Sequence, residues 1–290
     1  MKNYKDFAVF IMVHGRPDKM WTYHSLRKQG YTGKIFLIAD NLDKTVDDYK
    51  KKYGDELIVF DKKKASLDMQ TGDNSGELRS TLFATNITFK LAKEKGIKYF
   101  FNMCDDYTKF DNRFDKDLKY YVSEGQGSGI VRNLDRVFEI VLKYYKSINA
   151  LSIAFAQGGD FIGGKDSGFA KSIELKRKAM NTFLCSTDRP FKFIGRMNED
   201  ITTYVNLGSK GGLFLTIPNI SITQQPTQQA EGGMTDVYLE YGTYIKSFFS
   251  VMYNPSSVKV SSMGDKYRRI HHRVSWNNAV PKIMNEKYKK

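Results

Sequence analysis

Two adjacent carboxylates close an apolar run in the stretch Tyr99-Phe100-Phe101-Asn102-Met103-Cys104-Asp105-Asp106-Tyr107. In an open α/β sheet, ligands sit outside the carboxyl ends of the strands. Two acids at such an end cannot both lie in a dry core, so they face water or hold a cation. Acid pairs also occur as plain solvated turns, and the pair alone does not choose between these. A second candidate is Asn198-Glu199-Asp200, which precedes the helical pattern Ile201 to Gly208. Asn198 suits an N-cap, and acids in a first turn are favoured by the helix dipole. Capping alone explains that arrangement, while a carboxylate held rigidly at a helix start can also serve as a general base. A third is His271-His272. Imidazole is a common ligand for metals such as manganese, although a surface or core pair is the commoner meaning of two histidines.

The elements that must position these groups begin with Phe7 to Val13, a continuous apolar run of the kind buried on both faces. It ends in His14-Gly15-Arg16-Pro17, after which Asp18 caps an expected helix reaching Gln29, with Gly30 as its stop. Lys34 to Ala39 predicts a second strand closed by Asp40-Asn41. Thr45 to Tyr53 predicts a helix and Leu57 to Phe60 a third strand. This alternation predicts an α/β fold with a mostly parallel central sheet flanked by helices. Lys62 to Gly76 reads as a loop, Glu77 to Lys95 as the longest helix, and Ile97 to Met103 as the strand that delivers the paired aspartates. Beyond it, Phe114 to Val122 is alternating or helical, Glu124 to Gly129 a turn, Leu134 to Ile148 a helix and Leu151 to Ala156 a strand. Gly158 to Gly164 brackets Phe161-Ile162 with glycine pairs, which suits a hairpin or a backbone approaching a ligand. Leu213 to Ile217 and Ile220 to Thr223 read as two strands, Gln224 to Gly233 as a polar loop, and Val237 to Met252 as a helix.

At 290 residues the chain can bury a sizeable core. Its net charge of +14 points to a polyanionic partner such as nucleic acid or anionic lipid. Two cysteines, Cys104 and Cys185, make no disulfide framework and fit a reducing compartment. No apolar run approaches the roughly 20 residues that span a bilayer, and no signal-peptide pattern follows Met1. The expectation is a soluble cytoplasmic protein.

Taken in order, a Gly/Arg turn after the first strand, an acid after the second, an arginine on a long helix and strand-end aspartates resemble the GT-A glycosyltransferases. A later Glu-Asp pair opening a helix and a C-terminal histidine extend the resemblance over most of the chain. The His14-Gly15-Arg16-Pro17 turn and Cys104-Asp105-Asp106 are most similar to the phage glycosyltransferases that decorate hydroxymethylated DNA bases, the TET-associated group. That resemblance implies a metal-dependent, inverting transfer of a sugar from a UDP-sugar to hydroxymethylated pyrimidines in DNA, in the host cytoplasm for a phage protein. It implies that His14, Gly15 and Arg16 border the donor nucleotide, that Asp40 faces the uridine, and that Arg79 approaches the diphosphate or sugar. Asp106, with Asp105 beside it or on the ribose, would bind Mn²⁺ or Mg²⁺. Asp200, next to Glu199, would take the acceptor proton, and His271 or His272 would complete the metal shell. One departure stands out: the family motif has acid, any residue, acid, and here Tyr107 occupies the third place.

The single GT-A domain expected over 1–290 divides into a nucleotide-sugar half (1–107), an acceptor half (108–256) and a basic C-terminal extension (257–290). The last 34 residues carry nine Lys or Arg against Asp265 and Glu286, half the net charge of the chain. Arg268, Arg269, Arg273 and Trp276 among them suit phosphate contact and stacking on an unpaired base. A duplex acceptor would need its base flipped out. Two other readings stay open on sequence: the same enzyme acting on a glycan, lipid or protein, and a non-catalytic nucleic-acid-binding protein that kept only the fold.

Overall fold

Strand β1 (Phe7–Met12) is buried on both faces. Its residues alternate between two cores: Phe7, Val9 and Ile11 enter one hydrophobic cluster, Ala8 and Phe10 the other. The computed structural model describes residues 1, 4–120, 129–161, 164–170, 182–225, 234–242, 244–263, 269–280 and 286. After β1 come α1 (Trp21–Lys28), β2 (Lys34–Asp40), α2 (Val46–Tyr53), β3 (Leu57–Phe60), α3 (Lys62–Ser66), α4 (Leu82–Glu94), β4 (Tyr99–Cys104) and β5 (Tyr107–Asn112). The second half holds α5 (Leu134–Ser147), β6 (Ser152–Gln157), β7 (Phe183–Ser186), α6 (Glu199–Ser209), β8 (Phe214–Gln224), α7 (Met234–Tyr241) and α8 (Ile245–Tyr253). It closes with β9 (Val258–Met263), β10 (Arg269–Val274) and α9 (Trp276–Ala279).

The main sheet has the order β3-β2-β1-β4-β7-β6-β8-β5. Only β5 and β7 run against the rest, so the expected mostly parallel α/β sheet is what the chain adopts. From β1 the chain steps outward to β2 and β3 and then returns to place β4 on the other side of β1. Such a reversal opens a crevice at the carboxyl ends of the two central strands. His14-Gly15-Arg16 follows β1 there, and Asp105-Asp106 follows β4.

Several expected boundaries move, each for a local reason. Helix α1 starts at Trp21 rather than at Asp18, whose carboxylate pairs instead with Lys52. The expected helix from Glu77 begins only at Leu82, because Ser80 donates to the Arg196 carbonyl and Thr81 to Glu199, which holds that stretch on the neighbouring loop. The loop expected from Lys62 contains α3, capped by Asp61. The two strands expected around Pro218 are one strand, β8. Its pairing with β6 jumps from Ile217 to Ser221, so a bulge accommodates the proline that has no N–H to give. The single helix expected over Val237 to Met252 breaks at Gly242, where φ is +80°.

Strands β5, β7 and the β9–β10 hairpin had no counterpart in the sequence reading. The expected segment from Phe114 closes as a bridge from Phe114 to Tyr120, while residues 121–122, 124–128 and 226–233 of the expected segment, turn and polar loop lie outside the described residues. So do Ile162 and Gly163 of the glycine-bracketed stretch. No described helix is long and apolar enough to cross a membrane.

Candidate active site

The turn after β1 is fastened to the segment after β2. The Gly15 N–H donates to Asp43 Oδ2 at 2.8 Å, and the Arg16 N–H donates to the Tyr49 hydroxyl at 3.0 Å. Asp43 uses its other oxygen to accept from the N–H and hydroxyl of Thr45. Asp40, at the end of β2, is buried. Its Oδ2 accepts from Lys62 Nζ at 2.9 Å and lies 3.2 Å from His14 Nδ1. Burial alone would raise the Asp40 carboxyl, but the bonds with His14 and Lys62 outweigh it and hold it down to about 2. Asp40 is therefore a buried counter-charge to Lys62 as well as a neighbour of the turn after β1.

The turn after β4 is fastened to the start of α1. Thr22 donates its hydroxyl to the Cys104 carbonyl at 2.7 Å and its N–H to the Asp105 carbonyl at 3.0 Å, and its oxygen accepts from the Tyr107 N–H. Both aspartates are thereby held at the mouth of the crevice. Arg16 Nη2 donates to Asp105 Oδ1 at 2.6 Å, a pair whose side chains are 16% and 4% exposed. The contact is made at one point only. Arg16 Nε and Asp105 Oδ2 are left buried without a hydrogen-bond partner, and so is Asp106 Oδ1. Burial pushes the Asp105 carboxyl up to about 7; Arg16 pulls it back and the Asp106 charge adds to the rise. Burial also raises Asp106, against the hydrogen bond from Gln224.

A second group of side chains meets at the start of α6. Asn198 occupies the position before the helix, but in a left-handed conformation (φ +58°) and without capping it. Its amide instead donates to Ser250 Oγ at 2.7 Å and lies 3.1 Å from His272 Nδ1. The structure thus brings His272, on β10, to the N-terminus of α6, a juxtaposition across 74 residues of chain. Asp200 has one oxygen bonded to the Ile201 N–H at 2.7 Å, and Glu199 accepts from Thr81. Burial raises the Cys104 thiol first, followed by the charges of Asp106 and Asp105 and then that of Glu199. Glu199 therefore lies within electrostatic reach of Cys104.

Other expected residues are placed differently. Arg79 precedes α4 rather than lying on it, 41% exposed, and pairs with Glu77 at 2.5 Å and Glu240 at 2.7 Å. The His271 ring nitrogen Nδ1 meets the His272 carbonyl at 2.9 Å. Arg273 is exposed on β10, opposite the equally exposed Lys259. Trp276 is half-buried against Tyr204, ring centroids 5.7 Å apart, so packing on α6 accounts for this tryptophan. Arg268 and the side chain of Arg269 lie outside the described residues. Sequence reasoning passed over Asp43, Tyr49, Lys62, Thr22 and Gln224. Asp43 carried a usable signal, since an aspartate followed two residues later by threonine favours the turn it makes. The others had none, because a threonine in a helix or a glutamine at a strand end marks nothing locally.

The unpartnered oxygens of Asp105 and Asp106 are what a divalent cation fits: hard carboxylate ligands with their ordinary partners missing. Among the described residues, no three His, Cys, Asp or Glu side chains gather into a ready metal shell, so His271 and His272 are not assembled with the aspartates as ligands. Carboxylates alone suffice for Mg²⁺ or Mn²⁺ ions that keep phosphate and water oxygens as remaining ligands.

The profile of the TET-Associated Glycosyltransferase family matches residues 7–233, most of the chain. No curated protein matches it. Solved structures that resemble the chain include a mycobacterial protein, at 7% identity and a TM-score of 0.48, covering 94% of this chain and 85% of that one. Glucosyl-3-phosphoglycerate synthase from Mycobacterium tuberculosis, in complex with Mn²⁺, UDP and phosphoglyceric acid, follows at 8% identity and 0.45, covering 94% and 88%. A 1–349 structure of TarS from S. aureus is matched at 12% identity and 0.40, over 84% of this chain and 65% of that one.

Proposed function

The chain belongs to the TET-Associated Glycosyltransferase family, and from that premise we propose that this glycosyltransferase moves a sugar from a UDP-sugar to hydroxymethylated pyrimidines in DNA, with a divalent metal and with inversion. The observation that carries the reading is the one-point pair of Arg16 and Asp105. It leaves a buried cationic donor, Arg16 Nε, beside a buried anionic acceptor, Asp105 Oδ2. A metal-bound diphosphate is complementary to both at once: a phosphate oxygen for the guanidinium, a cation for the carboxylate.

The roles follow from position. His14, Gly15 and Arg16 border the nucleotide and its phosphates, with Asp43 and Tyr49 holding that turn in shape. Asp40 faces the uridine side, its charge set by Lys62. Asp106, with Asp105 next to it, holds Mn²⁺ or Mg²⁺, which when bound neutralises charge on the departing diphosphate. Asp200 accepts the proton of the acceptor hydroxymethyl group while that oxygen displaces UDP from the anomeric carbon, and Glu199 sits beside it at the helix start. His272, its ring tied through Asn198 to that helix start, stands on the side of the proposed base and not in the metal shell. Arg79, with its charge shared between Glu77 and Glu240, approaches the donor from the α4 side. Lys259 and Arg273 on the hairpin, together with Arg268 and Arg269 of the same basic segment, contact DNA phosphates.

The test is sugar transfer from a panel of UDP-sugars, with and without Mn²⁺, onto hydroxymethylated or unmodified DNA. Transfer is expected only to the modified DNA and only with metal. Asp106→Ala and Asp200→Ala should each lower it by at least a hundredfold; if both left transfer intact, the assigned mechanism would be wrong.

A further inference from the structure

The two adjacent aspartates are compensated in different ways. Asp105 faces a full positive charge, the guanidinium of Arg16. The contact on the Asp106 side chain is neutral: Gln224 Nε2 donates to Asp106 Oδ2 at 2.9 Å. Gln224 is the last residue of β8, and its Oε1 accepts from Nε2 of Gln157, the last residue of β6, at 3.2 Å. Gln157 is itself steadied, its N–H donating to Asp160 Oδ2 at 2.8 Å. The next residue of the chain grips the same turn through the backbone, the Gln225 N–H donating to the Asp106 carbonyl at 3.0 Å. A row of hydrogen bonds thus runs from β6 through β8 to the turn between β4 and β5.

A neutral donor in that place does something a charged or an apolar side chain would not. A lysine or arginine would cancel the charge of Asp106, and a leucine would leave both of its oxygens bare. The amide fixes the carboxylate by one oxygen and leaves its charge and its second oxygen, Oδ1, uncommitted. That second oxygen is the one buried without a partner.

We infer that Gln224, backed by Gln157, is the positioning residue for the metal-binding carboxylate of Asp106, holding it in the orientation that presents Oδ1 to the cation. The inference rests on the metal reading proposed above. Outer partners of metal ligands typically contribute ten- to hundredfold in metal affinity.

The experiment titrates Mn²⁺ into the full chain with UDP present, following free Mn²⁺ by electron paramagnetic resonance, for the wild type, Asp106→Asn, Gln224→Leu, Gln157→Leu and the double glutamine variant. Gln224→Leu is expected to raise the apparent Kd for Mn²⁺ about ten- to hundredfold. Gln157→Leu should raise it by less, and the double variant should lose no more than Gln224→Leu alone. In turnover assays the KM for Mn²⁺ should rise with kcat recovered at saturating metal, whereas a merely structural defect would lower kcat without moving the Mn²⁺ midpoint. A folded Gln224→Leu that binds Mn²⁺ like the wild type, while Asp106→Asn does not, overturns the inference and leaves the metal reading standing. Wild-type Mn²⁺ binding by Asp106→Asn removes both. Should Gln224→Leu fail to fold, Gln157→Leu decides, and unchanged Mn²⁺ affinity there sinks the idea.

Discussion

Asp40, proposed to face the donor, also bears on stability. Its Oδ2 is the counter-charge of Lys62, which is only 7% exposed. Removing one partner of a buried pair strands the other charge, at a cost of about 3 kcal/mol or more. Asp40→Asn is accordingly expected to lower stability by that order in urea unfolding at pH 7, and a loss below about 1 kcal/mol would show that water reaches Lys62. The pH dependence has a definite sign. The folded carboxyl is held at about 2, below its ordinary value near 4. Its contribution is therefore present above pH 4 and is lost as pH falls toward 2, so the gap between wild type and Asp40→Asn should narrow over that interval.

At the scale of elements, α6 is clamped at both ends by the C-terminal segment. Its start meets β10 through Asn198 and His272, and near its other end Gly208 lies against α9. A Cβ on Gly208 would stand 2.5 Å from the Ala279 carbonyl oxygen. Gly→Ala inside a helix normally gains about 1 kcal/mol in propensity, whereas overpacking against backbone costs about 1–3 kcal/mol. The clash wins, and Gly208→Ala should lower the unfolding temperature. In a Trp21→Phe background the remaining Trp276 emission should shift to the red as α9 lifts from Tyr204. A raised Tm with unshifted emission would mean that α9 yields without loss.

Across the whole molecule, charge is distributed unevenly. Lys259 and Arg273 stand directly opposite each other on the two strands of the hairpin, both exposed, where like charges repel. Together with the net charge of +14, that pairing suits a surface whose repulsion is relieved by phosphates. Binding to hydroxymethylated DNA should weaken linearly in log Kd against log salt. Lys259→Ala and Arg273→Ala should each reduce the slope by about one, the value expected for one phosphate contact. A slope untouched by either change would take the hairpin off the DNA face.

By itself the sequence determined strands β1 to β4, the acids and glycine turn at their ends, and α5. Continuous apolar runs and a 3.6-residue period are written in neighbouring residues, because burial of a strand on two faces or of one helix stripe is a local demand. Only the tertiary structure decided which of those groups meet. Strand β7 enters between β4 and β6, and β5 leaves Asp106 at once to pair with β8 at the far edge of the sheet. The contacts of Gln224 with Asp106 and of His272 with Asn198 depend on those crossings. Strand pairing over such separations is set by what each face can bury once the sheet assembles, and no run of neighbouring residues encodes it. The resemblance read from the order of the sites agrees with the family match. The one-point pair of Arg16 with Asp105, and the amide that bonds one oxygen of Asp106 and leaves the other free, belong to the folded chain alone.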